Sequence, residues 1–220
     1  MRKKEAEKIV DILMDLKLPI TKLLEIGGST LEYRQRIKPH ISQIYHNYFE
    51  KNGIAITTTD IKNSDGIDYV GDIMDPSFAN KLPVDIDCIA INNLLEHVPD
   101  ASKLCFSIQQ LRKRYIIYSG PLNYPYHRDP IDNLLRPDNH KLNEIFPDYD
   151  IVKYVELETG SFLSDLNELP FLRRIVRLFR EVVVFFYLLL SRINIKFYSR
   201  LMYIGRNYSC AIAVLKLKCH

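Results

Sequence analysis

The amino-acid sequence predicts an α/β fold in which helices flank a doubly wound, mostly parallel β-sheet. Short apolar or β-branched runs alternate with helix-periodic segments over roughly the first 120 residues, and this alternation is typical of parallel sheets. The predicted strands are also followed or closed by an acid, an asparagine or a glycine. Ligands bind at the carboxyl ends of the strands in such sheets, so these residues form the candidate binding site.

The first half of the chain supplies most of the predicted elements. Apolar residues at helical spacing predict an N-terminal helix within residues 1–18. Predicted strands follow at residues 22–26, 54–59, 68–70, 85–92 and 115–119. Predicted helical segments lie on either side of Pro39, the second at residues 44–49, and at residues 76–82 and 100–112. Asp100 is the expected N-cap of the last of these helices.

The character of the sequence changes after Gly120. Residues 121–140 are rich in proline and show no clear periodicity, so they predict a structured loop, of which residues 120–138 are the candidate substrate loop. Residues 150–156 and 208–218 predict two further strands. Between these strands, residues 158–206 predict a helical insertion or lid within a single domain of residues 1–220.

Composition narrows the function classes. The 220 residues carry a net charge of +3, which gives no reason to expect nucleic acid as a partner. The four cysteines show no CxxC motif, so no metal site is expected from them. Cys88 and Cys210 lie in apolar runs and are expected to be buried thiols of a reducing compartment. The charged N-terminus does not resemble a signal peptide, and a cytoplasmic location is expected.

The residues that follow the first three strands suit an adenosine. Gly27 and Gly28 would allow close approach of the backbone to a ligand. Asp60 could bind a ribose diol, and Asp72 could accept a hydrogen bond from an exocyclic amine. The segment GGST does not complete GxGxxG, and no GxxxxGK[ST] motif is present. Asp60 also follows Glu25, the acid in the first predicted strand, by more than the roughly 20 residues expected in a dinucleotide fold, so a nicotinamide dehydrogenase is disfavoured.

Four segments in this order resemble a known family: LLEIGGST (23–30), TTTDIK (57–62), YVGDIMD (69–75) and DIDCIAINNLLEHVPD (85–100). They are similar to the class I S-adenosylmethionine-dependent methyltransferases of the type 11 kind. The resemblance covers roughly residues 20–157 and the final strand. It implies a seven-stranded Rossmann-like sheet whose last strand is antiparallel, S-adenosylmethionine as the cofactor, and methyl transfer as the reaction.

The resemblance also implies roles for individual residues. Glu25 would orient the methionine amino group, and Gly27 with Gly28 would form the turn beneath the methionine and the ribose. The other implied cofactor residues are Ser29 in the same turn, Asp60 and Ile61 at the ribose, Asp72 and Ile73 at the adenine, and Asn92 and Asn93 at the methionine end. The family pattern is commonly E/D-x-G-x-G-x-G, whereas Ser29 and Leu31 occupy its second and third glycine positions. A catalytically inactive binding or scaffold protein with the same fold is therefore the alternative.

The loop after the fifth strand is the predicted acceptor site. Its polar and aromatic side chains crowd together in Tyr124, Tyr126, His127, Arg128, Asp129 and Asp132. His127 is the expected general base, oriented by Asp129 or Asp132, and Tyr124, Tyr126 and Arg128 are expected to bind the substrate. The predicted acceptor is a hydroxyl of a small molecule or a glycan-like compound. The same side chains could instead only stabilise a proline-rich loop, and His97 is expected to fix the turn after the fourth strand.

The insertion is both basic and strongly apolar. Its uncharged run at residues 182–190 is far shorter than the roughly 20 residues that span a bilayer. Arginine and lysine surround this run, with Glu181 as the single acid. The segment 171–200 therefore fits three roles: a homodimer interface, a lid on the substrate loop, or peripheral contact with anionic lipid headgroups, as in an enzyme that acts on a lipid-linked acceptor. No NPPY-like tetrapeptide follows the fourth strand, which further disfavours nucleic acid.

Overall fold

The computed structural model describes residues 1–127, 130–167, 169–191 and 200–219, and within these ranges seven strands form one sheet. The strands are β1 (Lys22–Ile26), β2 (Ala55–Asp60), β3 (Tyr69–Val70), β4 (Cys88–Asn92), β5 (Tyr115–Asn123), β6 (Tyr149–Ser161) and β7 (Asn207–Leu217). Their order is β3-β2-β1-β4-β5-β7-β6. Strands β1 to β5 are parallel, and β7 lies antiparallel between β5 and β6. The predicted α/β fold is confirmed.

The helices lie in the connections between these strands. They are α1 (Lys3–Leu16), α2 (Asn47–Lys51), α3 (Pro76–Ala79), α4 (Ala101–Gln110), α5 (Asn139–Ile145), α6 (Phe162–Asn167) and α7 (Phe171–Leu190). Wider π-helical turns at Tyr33–Ile37 and Ile41–His46 precede α2, and 3-10 turns form at Leu95–His97 and Arg200–Tyr203. Among the described residues, no helix is long and apolar enough to cross a membrane.

Several predicted boundaries differ from the structure. Strand β5 extends to Asn123, beyond the predicted start of the substrate loop. Helix α5 begins within the residues predicted to be a loop, where Asp138 caps it by accepting a hydrogen bond from the backbone N–H of Lys141 at 2.8 Å. Strand β6 extends to Ser161, so residues 158–161 belong to the sheet and not to the insertion. The error at β6 has a physical reason: β6 is an edge strand with many exposed residues, and the apolar alternation that indicates a strand is weak there.

The core lies on both faces of the central strands. On one face, Leu24 and Ile89 pack with residues of α4 such as Ile108. On the opposite face, Leu23 and Cys88 belong to the cluster that α1 covers. Both faces of these strands are therefore apolar, as expected for a parallel sheet with helices on each side. Cys88 and Cys210 are buried, as predicted.

The register aligns the strand ends at one edge. Ile26 of β1 pairs with Thr59 of β2 and with Ile91 of β4. The next residue of each strand is therefore at the same level, which places Gly27 beside Asp60 and Asn92. Strand β3 continues this edge, because Asp60 pairs with Val70 two residues before Asp72.

The turn after β1 needs its glycines. Gly27 has φ +76°, and a Cβ atom there would lie 2.9 Å from Leu94 Cδ1. A Cβ atom on Gly28 would lie 3.0 Å from Thr58 Cβ. Ser29 has φ +53°, a left-handed conformation that is costly for a residue with a side chain. Ser29 therefore adopts the left-handed backbone conformation that glycine would adopt easily, and the tight turn forms despite the substitution of serine at this position.

A buried carboxylate ties α1 to the same edge. Glu5 is 2% exposed, and its Oε1 accepts hydrogen bonds from Ser119 Oγ and Asn93 Nδ2, both at 2.7 Å. Its Oε2 accepts the backbone N–H of Arg2 at 3.0 Å. A buried carboxylate is stable only with such donors, so the first turn of α1 is fixed across the ends of β4 and β5.

We expect Glu5→Ala to lower the free energy of unfolding by about 2–4 kcal/mol, because it leaves several buried donors without an acceptor. Glu7→Ala is the matched control on the same helix, where the side chain is half exposed and lies 3.7 Å from Lys3. This control should change the free energy by less than about 0.5 kcal/mol. Urea denaturation measures both values, and equal effects would show that the Glu5 network adds nothing to stability.

Ser29→Gly should raise the free energy of unfolding by about 1 kcal/mol, because glycine removes the left-handed strain. Ser107→Gly, within α4, is the control and should lower it by about 0.5 kcal/mol through the poor helix propensity of glycine. Thermal and urea unfolding of both variants distinguish the two effects. A loss of stability in Ser29→Gly would contradict a strained turn.

Candidate functional site

The two predicted acids of the adenosine site lie at adjacent strand ends. Asp60 Oδ1 accepts a hydrogen bond from the backbone N–H of Lys62 at 2.9 Å, and Asp72 Oδ1 accepts one from Met74 at 2.9 Å. Each carboxylate thereby orders the turn that follows its own strand. Asp60 is half-buried and Asp72 is exposed, so ligand binding at these carboxylates does not require opening of the core.

The two isoleucines beside these acids differ in placement. Ile61 is 71% exposed at the end of β2, where it offers apolar surface next to Asp60. Ile73 is buried and belongs to the core cluster that includes Phe78. Their predicted contacts with the ribose and the adenine ring stay predictions.

Glu25 has a partner that the sequence did not reveal. Its Oε2 lies 2.8 Å from His46 Nε2, and both side chains are buried. The π-helical turn Ile41–His46 places this histidine against the end of β1. The pairing fixes the orientation of the carboxylate beside the glycine turn, and its predicted contact with a methionine amino group stays a prediction.

A groove of about 610 Å³ lies beside this pair, with Arg34, His46 and Asp68 among its lining residues. Its lining contains neither Asp60 nor Asp72. It is therefore distinct from the strand ends that the sequence predicts for an adenosine.

Asn92 joins the end of β4 to the π-helical turn Ile41–His46, and Asn93 joins it to α1. Asn92 Nδ2 donates to Tyr45 Oη at 2.9 Å, and its Oδ1 lies 2.9 Å from Ser119 Oγ. Asn93 has φ +49° and donates through Nδ2 to Glu5. This network makes the edge at β4 and β5 rigid and polar, which suits the charged end of an amino-acid-like ligand.

The substrate loop brings two of its predicted catalytic residues together. His127 Nδ1 lies 3.1 Å from Asp132 Oδ2, and the backbone N–H of His127 donates to the same oxygen at 2.9 Å. Arg128 and Asp129, which the sequence also selected, lie outside the described residues. Of the two acids proposed to orient His127, the described one is in contact with it.

Asp132 is an organising carboxylate of this loop. Its side chain is fully buried, and Arg136 donates two hydrogen bonds to it at 3.0 and 2.7 Å. Burial opposes its ionisation, yet the hydrogen bonds from His127 and Arg136 hold the pKa of Asp132 well below its ordinary value. An ionised Asp132 is therefore available to hold the imidazole of His127 in one orientation.

Tyr124 connects the substrate loop to Arg2 near the N-terminus and to Tyr208 of β7. Its ring lies edge-on to His127 at 4.9 Å and 4.7 Å from the ring of Tyr208. The guanidinium of Arg2 lies over both tyrosine rings and pairs with Asp165 of α6 at 3.0 Å. The predicted stacking of Tyr124 on a sugar ring is limited to surface that these contacts leave open. Tyr126 is half-buried in the same loop.

Glu96 is a site residue that sequence reasoning did not select, although it stands out as an acid inside the apolar run LLEHV. It is 1% exposed, and its Oε1 has no hydrogen-bond partner among the described residues. Burial raises the pKa of Glu96 to about 7. Its Oε1 lies 3.7 Å from His97 Nε2.

His97 serves the structural role that the sequence predicts, and it also contacts the loop. Its Nδ1 lies 2.7 Å from the carbonyl oxygen of Ile131, which braces the turn after β4 against the loop. Its ring also packs edge-on against His127 with 4.9 Å between centroids. Glu96, His97 and His127 therefore form one cluster beyond the ends of β4 and β5, next to the Asn92 and Asn93 edge.

Comparisons with known proteins identify the fold. No protein-family model and no curated protein matches the chain, but solved structures do. The chain is 12% identical to the MccD protein, with 98% of this chain and 99% of that chain covered and a TM-score of 0.58. It is 11% identical to a putative sarcosine dimethylglycine methyltransferase from Galdieria sulphuraria, with 96% and 84% covered and a TM-score of 0.57.

A third solved structure names the cofactor of its protein. The chain is 11% identical to a SAM-dependent methyltransferase from Anabaena variabilis, with 96% of this chain and 84% of that chain covered and a TM-score of 0.53. The seven strands and the antiparallel last strand β7 also agree with the fold that the sequence resemblance implies. The chain therefore has the fold of the class I S-adenosylmethionine-dependent methyltransferases.

Proposed function

We propose that the protein is an S-adenosylmethionine-dependent methyltransferase that methylates a hydroxyl of a small-molecule or glycan-like acceptor. The observation that carries this proposal is the alignment of Gly27, Asp60 and Asn92 at one level of the sheet, with Asp72 two residues beyond, in a methyltransferase fold. A cytoplasmic location, peripheral to a membrane in the second version given below, is part of the proposal.

The residues at this edge fit the cofactor. Because Gly27 and Gly28 have no side chains, a ligand could approach the backbone closely there. Asp60 would accept hydrogen bonds from the ribose hydroxyls, and Asp72 would accept one from the adenine amine. Asn92, Asn93 and Glu25 would hold the amino-acid end. Bound S-adenosylmethionine would supply an electrophilic methyl group, and the contribution of these residues is to fix its orientation, which provides much of the rate in such displacements.

The acceptor would lie over the substrate loop. His127 Nδ1 faces Asp132, so the imidazole Nε2 is the nitrogen able to accept a proton from the acceptor hydroxyl, in the manner of a general base. Tyr124, Tyr126 and Arg128 would contact the acceptor. This role of the loop is supported by its position beside the proposed methionine end.

Asp60→Ala should weaken S-adenosylmethionine binding by about 10–100-fold, since it removes charge-assisted hydrogen bonds worth about 1.5–3 kcal/mol. Asp65→Ala, in the exposed loop that follows β2, is the matched control and should bind as the wild type does. Isothermal titration calorimetry measures all three proteins. Equal affinity in Asp60→Ala would contradict the ribose assignment, and no binding by folded wild type would favour the inactive scaffold.

A second version of this function, action on a lipid-linked acceptor, is favoured by the placement of α7. Its apolar residues point outward, and the following are each more than half exposed: Phe171, Leu172, Ile175, Val176, Phe179, Val183, Phe186 and Leu190. Arg174, Glu181 and Leu188 face the protein instead, with Arg174 Nε donating to the carbonyl oxygen of Leu166 at 3.1 Å. The hydrophobic face of this 20-residue helix is thus turned away from the core.

Charge supports a membrane as the occupant of that face. Arg173 and Arg180 are exposed, and their positions on the helix place them beside the outward face. An amphipathic helix with this arrangement binds in the interface of a bilayer, with the apolar side chains among acyl chains and the arginines at anionic headgroups. We propose that α7 positions the substrate loop near a lipid surface. The lid and homodimer roles of this segment are the alternatives.

Vesicles that contain phosphatidylglycerol should co-sediment the wild type, with less binding as salt rises. The double variant Phe179→Asp/Phe186→Asp should bind at least about 10-fold more weakly, because two apolar side chains are lost from the lipid contact. Phe106→Asp on α4, which replaces another exposed phenylalanine, is the control and should bind normally. If the wild type does not bind vesicles but forms a dimer that the double variant disrupts, the membrane role is contradicted and α7 is a dimer interface.

A further inference from the structure

Three metal-binding side chains converge beyond the ends of β4 and β5. Glu96 and His97 come from the 3-10 turn Leu95–His97, and His127 comes from the substrate loop. One ligand atom of each side chain lies within 4.8 Å of the corresponding atom of the other two. Two elements that are separate in the sequence therefore bring a carboxylate and two imidazoles to one point.

The carboxylate of this cluster has a buried oxygen without the hydrogen-bond donor that a buried acid normally has. Glu96 is 1% exposed, and its Oε1 finds no hydrogen-bond donor in the described part of the chain. A buried acceptor without a partner costs about 1–3 kcal/mol. That oxygen lies 3.7 Å from His97 Nε2, which is too long for a hydrogen bond and is close to the separation of two ligand atoms on one ion.

The two histidines are held in the tautomer that metal binding needs. His97 Nδ1 lies 2.7 Å from the carbonyl oxygen of Ile131. His127 Nδ1 lies 3.1 Å from Asp132 Oδ2 and 3.3 Å from the carbonyl oxygen of Pro125. Because these neighbours are acceptors, Nδ1 carries the proton in each neutral ring. Metal-binding histidines show this arrangement, with the second nitrogen donating to a carbonyl or a carboxylate.

We propose that Glu96, His97 and His127 bind a divalent transition-metal cation. Two imidazoles and one carboxylate form a ligand set that holds Zn²⁺ or Fe²⁺ and leaves further positions open. Ligand bonds of about 2.0–2.2 Å place neighbouring ligand atoms about 3.5 Å apart in a tetrahedral site. The observed separations of up to 4.8 Å exceed this value by about 1 Å. This proposal departs from the absence of a metal site that the cysteine pattern led us to expect.

The role of the cation rests on the proposed methyltransferase function. An acceptor hydroxyl at an open position would be coordinated by the cation, which would lower the pKa of that hydroxyl so that its proton is lost to water. In this metal-dependent version of the reaction, His127 is a metal ligand and does not act as the general base. The cation would lie next to Asn92 and Asn93, where the proposed methionine end of the cofactor is held.

The test is calorimetric titration of the full, tag-free chain with ZnCl₂ after treatment with a chelator. We expect one Zn²⁺ per chain with a Kd at or below about 1 µM. Glu96→Gln and His127→Gln should each weaken binding at least about 10-fold, since even outer ligand partners contribute that much. His140→Gln, an exposed histidine on α5, is the matched control and should bind like the wild type.

Failure of this site can be told apart from failure of the proposed function. Circular dichroism checks that each variant is folded, and S-adenosylmethionine binding is measured separately on the same proteins. Equal zinc binding by wild type, Glu96→Gln and His127→Gln would assign the ion to other groups, such as the exposed Cys219, and would overturn the proposal. Absence of zinc binding in a protein that binds S-adenosylmethionine would also overturn it, while the methyltransferase function would stand.

Discussion

The buried carboxylate of Glu5 is the interaction on which the candidate site depends. It accepts hydrogen bonds from the ends of β4 and β5 and from its own helix, so α1 is fixed across the edge of the sheet where the proposed cofactor residues lie. The left-handed backbone of Asn93 is stabilised by this contact and by its N–H bond to the carbonyl oxygen of Ser119 at 2.7 Å. Three residues earlier in the chain, Arg2 extends the same attachment to Asp165 of α6 and to Tyr124 of the substrate loop.

These contacts couple the proposed cofactor edge to the proposed acceptor loop. Movement of α1 would disturb both, because Glu5 supports Asn93 while Arg2 contacts Tyr124, whose ring lies against His127. On the other side of the loop, Asp132 and Arg136 keep His127 oriented toward Glu96 and His97. The site is thus assembled from the N-terminal turn, the strand ends and a proline-rich loop, and each part is held by buried charge.

Much of this arrangement could be predicted from local sequence signals. Strands such as Cys88–Asn92 are short apolar runs, and the cap of α4 is a residue, Asp100, whose carboxylate binds the N–H of Lys103. The partner of Glu5 could not be predicted, because Ser119 lies 114 positions away and the pair exists only after the sheet has formed. The same holds for His46 and Glu25. Glu96 could have been noticed as an acid inside an apolar run, but its burial depends on the loop that closes over it.

The central claim is that the edge formed by Gly27, Asp60 and Asn92 binds S-adenosylmethionine, and a crystal structure of the protein with saturating S-adenosylhomocysteine tests it most directly. The account predicts an adenosine at the ends of β1 and β2, with its ribose hydroxyls in hydrogen-bond contact with the Asp60 carboxylate and its amino-acid end beside Asn92. A ligand bound instead in the groove lined by Arg34, His46 and Asp68 would contradict the account.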